Sequence, residues 1–363
     1  MANSNLTQAK KAKNDEFYTQ FHDIQKEIEA YLEYDENTFR DKVVYCNADD
    51  PFESNFFRYF VLNFKRLGLK QLITTSYKPS PVANTQLALF GDDKSIAQAK
   101  GRPKVTANKF IINDVGDFDG DGAFGLKDVA EQLRANKNNE WAPLEGDGDF
   151  RSDECVELLK QSDIVVTNPP FSLFREFIKQ LFDYEKRFLI IGNINAITYK
   201  EVFPFIKENK VWLGPSITSG DREFEVPSSV VDMKKFTGKI RDGKYFQKVV
   251  GVRWYTNLDH GRRHQKISLM SEADVVKFGT KKPFEKYDNY DAIEVSFVKY
   301  IPNDYGGAMG VPISFLDKYN PDQFEILGID RYIEDNPNYG KRFTISGKEI
   351  YARVLIKHRK ATK

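Results

Sequence analysis

The chain has 363 residues, 40% hydrophobic and 14% aromatic, which is enough apolar material for a large core and too much for a disordered or fibrous class. Its 54 basic and 53 acidic residues leave a formal net charge of +1, so bulk charge points to no partner. No run nears the roughly 18 apolar residues of a membrane span, the polar start MANSNLTQAKKAK has no signal-peptide core, and two cysteines (Cys46, Cys155) are too few for a disulfide framework; a cytoplasmic protein with no membrane association is expected.

In chain order, DIQKEIEAYLEY (23–34) puts Ile24, Ile28, Tyr31 and Leu32 on one helical face. VVYCN (43–47) reads as a short buried strand, and FFRYFVLNFKRLG (56–68) as a helix stopped by Gly68. LKQLITTSY (69–77) is a second strand. Residues 78–146, rich in Pro, Asn, Asp and Gly, break the alternation and read as an insertion. SDIVVT (162–167) is a third strand, LFREFIKQLFDY (173–184) a helix, RFLIIGNIN (187–195) a fourth strand and TYKEVFPFIKEN (198–209) a helix. This alternation predicts an α/β fold with a doubly wound, mostly parallel sheet, whose ligands bind at the carboxyl ends of the strands. The catalytic domain is expected to span residues 1–77 and 147–215. Residues 216–363, with short strand-like runs such as KVVGVRWYTNL and AIEVSFVKYI, are expected to form a second, mixed α/β lobe.

The insertion carries two small patterns. Gln86-Leu87-Ala88-Leu89-Phe90 resembles the peptide by which bacterial DNA-handling proteins bind the replication sliding clamp, the alternative being a locally packed apolar segment. Asp117, Asp119, Asp121 and Asp128, with Gly122 at the sixth position, have the spacing of a calcium loop, although Asp128 reaches less far than the usual Glu; an Asp/Gly-rich turn without metal is the alternative.

The strongest signal is Asn168-Pro169-Pro170-Phe171, directly after the buried run Asp163–Thr167. An aromatic amine is a poor nucleophile because its lone pair is delocalised into the ring. An Asn side-chain carbonyl and the adjacent Pro169 carbonyl can accept both amine hydrogens and draw the nitrogen toward a tetrahedral shape. Two prolines hold these acceptors in a restricted turn, and Phe171 can stack on a base swung out of a duplex. A plain strand-ending turn before an N-capped helix is the competing reading.

Charge is unevenly distributed. Residues 234–266 hold ten Lys or Arg, among them Lys248, Arg253, Arg262, Arg263 and Lys266, and the tail from Arg331 is also basic. These stretches are expected to contact DNA phosphates, the alternative being a solvated face.

NPPF after DIVVT is the motif of amino-methyltransferases. Together with KNDEFYTQ (13–20), DKVVYCNADDP (41–51), SNFFRYF (54–60), GDGDFRS (146–152), ITYKEVF (197–203), YDNYDAI (287–293) and MGVPISFL (309–316), it makes the chain resemble the EcoRI-type adenine-specific DNA methyltransferases over nearly its whole length. The resemblance implies a methyltransferase fold, S-adenosylmethionine as donor, duplex DNA as substrate and a DNA-recognition lobe after the catalytic one; a monomer is expected. It makes Asn168, Pro169, Pro170 and Phe171 the catalytic residues. It implies cofactor contacts at Phe17, Tyr18 and Thr19, at Asn47, Asp49, Asp50, Pro51 and Phe52, and at Asp149 and Phe150. The chain departs from the usual methyltransferase pattern in having no glycine in DDPFESNFF and no acidic residue after LITTSY, where Ser76 or Tyr77 would substitute; Asp49 or Asp50 could equally cap the next helix. Two rival readings are a methylase of protein glutamine amides, which needs no basic lobe, and a non-catalytic DNA-binding module without donor binding.

Overall fold

The computed structural model describes residues 19–47, 54–77, 107–117, 128, 138–218, 222–226, 238–279, 283–333 and 340–359. The chain divides into two compact units, unit 1 comprising Met1–Ile194 and Ser219–Leu258, unit 2 Asn195–Thr218 and Asp259–Lys363.

Unit 1 contains, in order, α1 (Phe21–Leu32), β1 (Val43–Cys46), α2 (Asn55–Leu62), α3 (Phe64–Leu67), β2 (Gln71–Thr75), β3 (Asn108–Ile112), β4 (Glu140–Pro143), α4 (Asp153–Gln161), β5 (Ile164–Thr167), α5 (Phe174–Asp183) and β6 (Arg187–Asn193). Its sheet runs β4-β3-β2-β1-β5-β6 and then the strand Val252–Thr256. The four central strands pair in parallel. The runs VVYC and IVVT are buried at every position, the pattern expected of parallel strands covered on both faces. Helix α1 buries Ile24, Ile28 and Tyr31 as their spacing requires. The single helix expected over 56–68 is divided at Asn63, and Gly68 ends it in the left-handed conformation with φ of 63°.

Three features depart from the sequence reading, the first being that residues 195–215, assigned to the catalytic domain, fall in unit 2. Strands β3 and β4 come from the segment read as an insertion, yet they extend the sheet by antiparallel pairing on the outer edge of β2. Residues 219–258, assigned from sequence to the second lobe, belong to unit 1, because Val252–Thr256 is buried throughout and pairs antiparallel with β6.

Unit 2 has a four-stranded sheet ordered Ile293–Glu294, Met309–Pro312, Arg353–His358, Phe324–Ile329. The helix expected over 198–209 is shortened to Phe203–Lys207, with Pro204 in its first turn. The helix Glu272–Phe278 starts at a reciprocal cap between Ser271 and Asp274. Charged groups are buried inside this unit. Arg353 clasps Glu294 through Nη2 to Oε1 at 2.8 Å and Nε to Oε2 at 2.9 Å, while Tyr287 donates its hydroxyl to the same carboxylate and stacks on Phe343. Asp330 is also buried, 4.0 Å from Arg342. Among the described residues, no helix is long and apolar enough to cross a membrane.

Candidate active site

The carboxyl ends of β1, β2 and β5 lie side by side and are tied by short polar side chains. Asn47, just past β1, is buried; its backbone carbonyl accepts from the Thr167 hydroxyl at 2.7 Å and its side-chain carbonyl from the Thr75 hydroxyl at 3.2 Å. Since the single Thr75 proton goes to Asn47, the 3.2 Å contact between Thr75 and Tyr45 uses the tyrosine proton. Burial holds the Tyr45 hydroxyl well above its ordinary pKa, so it stays a neutral donor.

The loop after β4 closes on the end of β2. Gly148 has φ of 80°, and a Cβ there would lie 2.0 Å from the Ser76 carbonyl oxygen, so only glycine permits this approach. Ser76 is held in turn by Asn108 of β3, whose N–H donates to the serine hydroxyl and whose carbonyl accepts the serine N–H, both at 2.9 Å. Tyr77 follows it, half-buried. Asp149 accepts from Arg151 through Nε at 2.8 Å and Nη2 at 2.6 Å, and the arginine's hydrogen bonds hold its carboxyl below the usual range. Arg151 also reaches Glu176 of α5 at 2.8 Å, and Gln180 of α5 donates to the Phe150 carbonyl at 3.0 Å. Phe150 is buried, with its ring edge-on to Phe177 of α5 at 5.1 Å. The acidic-aromatic pair is thereby anchored to the helix that follows NPPF.

Asn168 leaves β5 half-buried with its side-chain oxygen turned away from solvent, and Pro169 is buried. Pro170 has φ of −55° and ψ of 124°, after which Phe171–Leu173 make one 3₁₀ turn into α5. Phe171 is half-buried. The turn is supported from within: Phe174 packs edge-on against Tyr255 at 5.0 Å, and a Cβ on Gly192 of β6 would meet the Phe174 ring at 2.5 Å. A glycine inside a strand thus makes room for the ring that seats the NPPF helix.

Asn47, Ser76, Tyr77, Asp149, Phe150 and Asn168 therefore belong to one edge of one sheet. Thr19 is buried nearby in unit 1, where its carbonyl accepts from Asn55 of α2 at 2.8 Å; its hydroxyl is buried without a hydrogen-bond partner among the described residues. Phe17, Tyr18, Asp49, Asp50, Pro51 and Phe52 lie outside the described residues, as do Gln86–Phe90, Asp119 and Asp121. Asp117 is exposed and Asp128 buried, and among the described residues no group of three or more His, Cys, Asp or Glu could hold a metal ion.

The basic candidates separate by burial. Lys248 and Lys266 are exposed, and Arg262 is half-buried with Nη1 on the Pro215 carbonyl at 2.9 Å. Arg253 is 5% exposed in the middle of a core strand, with Nη1 on the Val252 carbonyl at 2.8 Å, and Arg263 stacks 3.6 Å above the Trp212 ring with hydrogen bonding to Asn209. These two guanidinium groups are enclosed, whereas Lys248 and Lys266 face solvent. Sequence reasoning missed Arg151, Glu176, Gln180, Gly192 and Tyr255; the only local trace was the glycine interrupting the apolar run of β6.

The family model described as adenine-specific methyltransferase EcoRI matches residues 5–359. The chain is 42% identical to the Type II methyltransferase M.EcoRI of Escherichia coli over 368 residues, 99% of this chain and 98% of that protein. It is 36% identical to the Type II methyltransferase M.MpnI of Mycoplasma pneumoniae, covering 98% of both chains, and 35% identical to the Type II methyltransferase M.MgeORF184P of Mycoplasma genitalium, covering 97% of this chain and 98% of that one. No solved structure matches.

Proposed function

The chain belongs to the EcoRI-type family of adenine-specific methyltransferases and is a DNA adenine methyltransferase, and from this premise we propose that Asn168 and Pro169 hold the adenine N6 amine during transfer. The observation that carries the reading is the NPPF turn at the end of β5, set beside the Asn47, Ser76 and Gly148 edge of the same sheet. The rival readings, a glutamine methylase and a non-catalytic module, give way to a likeness to Type II methyltransferases that runs through the last third of the chain.

The residues at this edge suit S-adenosylmethionine. The close approach of Gly148 to Ser76 brings the loop that carries Asp149 and Phe150 against the end of β2, and the buried Thr19 hydroxyl offers a polar contact beside α2. Thr19, Asn47, Ser76 or Tyr77, Asp149 and Phe150 would hold the donor, with Asp149 accepting from its adenine amine through lone pairs that Arg151 leaves unused. When bound, the donor supplies a methyl group on a positively charged sulfur.

The chain's own residues do the rest. Asn168 Oδ1 and the Pro169 carbonyl accept the two N6 hydrogens, so the nitrogen lone pair points away from them, and they stabilise the positive charge that develops there. The prolines keep both acceptors aimed with little conformational freedom. Phe171 stacks on the extruded base. The exposed Lys248 and Lys266, with Arg262, contact phosphates.

Single-turnover methylation of a duplex at saturating donor tests this. Asn168→Ala removes one acceptor and keeps the turn, so the rate should fall about a hundredfold or more, roughly 2.7 kcal/mol of barrier, with donor and DNA affinity within a few-fold of the parent. A near-parental rate would reduce NPPF to a structural turn.

A further inference from the structure

Besides its main sheet, unit 1 holds a three-stranded antiparallel sheet ordered Arg222–Val226, Lys244–Val249, Lys239–Arg241. Its last two strands form a hairpin in which Arg241 pairs with Lys244 across Asp242-Gly243, both with positive φ (48° and 75°), the geometry of a tight two-residue turn. All three residues of Lys239–Arg241 are exposed, so this outer strand meets solvent on both faces.

The register sorts the side chains. Lys239 stands opposite Phe246 and Arg241 opposite Lys244, which places Lys239, Arg241, Lys244, Phe246 and Lys248 on one face. Arg241 lies over the Phe246 ring at 5.5 Å. On the other face Gln247 stands opposite Phe224, which is buried in unit 1. Glu223 meets the cationic face, pairing with Lys239 at 2.7 Å and Arg241 at 2.8 Å.

The position of the hairpin's root gives this face its meaning. Val250 and Gly251 join it to Val252–Thr256, and they are pinned to the end of β6 by Asn193 Nδ2 on the Val250 carbonyl at 3.0 Å and by Ile194 N–H on the Gly251 carbonyl at 2.6 Å. β6 runs parallel to β5 with Ile190 opposite Thr167. The root is thus two strands, about 9.6 Å, to the side of the strand that presents Asn168, and at the same end of the sheet.

We propose that this hairpin enters a groove of the duplex beside the adenine held at Asn168, with Arg241 and Lys244 on backbone phosphates. Antiparallel strands can be seated in a groove of the duplex, and cations on both shoulders of the turn release counterions from the DNA strands they meet. Glu223 keeps Lys239 and Arg241 ordered and holds affinity in check, since it carries the same charge as the phosphates. The proposal rests on the reading of the chain as a DNA adenine methyltransferase.

The test uses the full chain and a labelled duplex bearing the site that the parent methylates, found by sequencing methylated adenines in DNA from expressing cells. Binding is followed by fluorescence anisotropy across salt concentrations. Arg241→Gln with Lys244→Gln should lower the slope of log affinity against log salt by about 1.8, two contacts at about 0.9 each, whereas Asn168→Ala should keep the parental slope while losing turnover. Glu223→Gln, which removes a carboxylate that pairs with Arg241 and keeps both cations, should tighten binding. A parental slope in the double variant, or unaltered or weaker binding by Glu223→Gln, overturns the proposal while leaving the methyltransferase reading intact. A parent chain that methylates no adenine overturns that reading and takes the proposal with it.

Discussion

The sheet edge around Asn47 and the interior of unit 2 are both buried and both polar, but they are built from different chemistry. Around Asn47 the strands are tied by the neutral hydroxyl and amide groups of Tyr45, Asn47, Thr75 and Thr167. Unit 2 instead encloses ions, the Arg353–Glu294 clasp with Tyr287 on it and Asp330 near Arg342. The difference follows from what each region must tolerate. In the function proposed above this edge takes up a positively charged donor and lets positive charge form on an amine, and the side chains that tie its strands together are neutral, so they add no competing charge beside the acceptors aimed at the reacting atoms. A region without that duty can use ion pairs, provided that every partner is present.

The largest effect should come from breaking the clasp. Arg353→Met leaves the Glu294 carboxylate and the Tyr287 hydroxyl facing each other in a buried site, a loss of about 3–5 kcal/mol by urea unfolding. Replacing the pair together, Arg353→Met with Glu294→Leu, should recover much of that loss; if the double variant is no more stable than the single one, the ions are not the cause.

The neutral edge should break differently. Gly148→Ala sets a methyl group against the Ser76 carbonyl and imposes a left-handed backbone on an L side chain, at a cost of about 1–3 kcal/mol. Because the strain sits in the loop proposed to hold the donor, donor affinity by calorimetry should drop about tenfold or more. Unchanged affinity would separate this loop from the donor site.

A smaller effect, of opposite sign, is expected at Asp330, where burial pushes the carboxyl up to about 6. A folded-state pKa above the unfolded value means that the native protein holds the proton longer, so stability declines as pH rises from about 4 to about 6 and is level above. Asp330→Asn should flatten that decline and raise Tm near pH 7.5 by a few degrees. Parallel melting curves for both proteins across this range would expose Asp330 as neutral to stability.

How much was legible in the sequence follows from the range of each cause. The four parallel strands were readable because runs such as VVYC and FLIIG are apolar at consecutive positions, and NPPF because its chemistry is contained in four adjacent residues. The close approach at Gly148 was hidden, since what forbids a side chain there is the carbonyl of Ser76, a contact that no local pattern encodes. Charge was visible at Arg253 and Arg263, but burial was not, because the first depends on its strand's pairing with β6 and the second on an indole distant in sequence. Strands β3 and β4 were obscured by the Pro- and Asp-rich segments that separate them.

The pairing of β6 also sets an order of events during synthesis. The segment from Arg187 to Asn193 emerges from the ribosome well before Val252–Thr256, and residues 195–218, which belong to unit 2, come between them. Until then the hydrogen-bonding edge of an apolar strand has no partner, although β5, the NPPF turn and the helix after it have already been made. Such an edge invites pairing with other chains. A fragment ending at Ile194 should therefore contain the whole NPPF turn and still scatter light as aggregates, and a monodisperse fragment would show that β6 is protected by other means. The last strand of this sheet acts as a late seal, closing a surface that the growing chain has had to carry open.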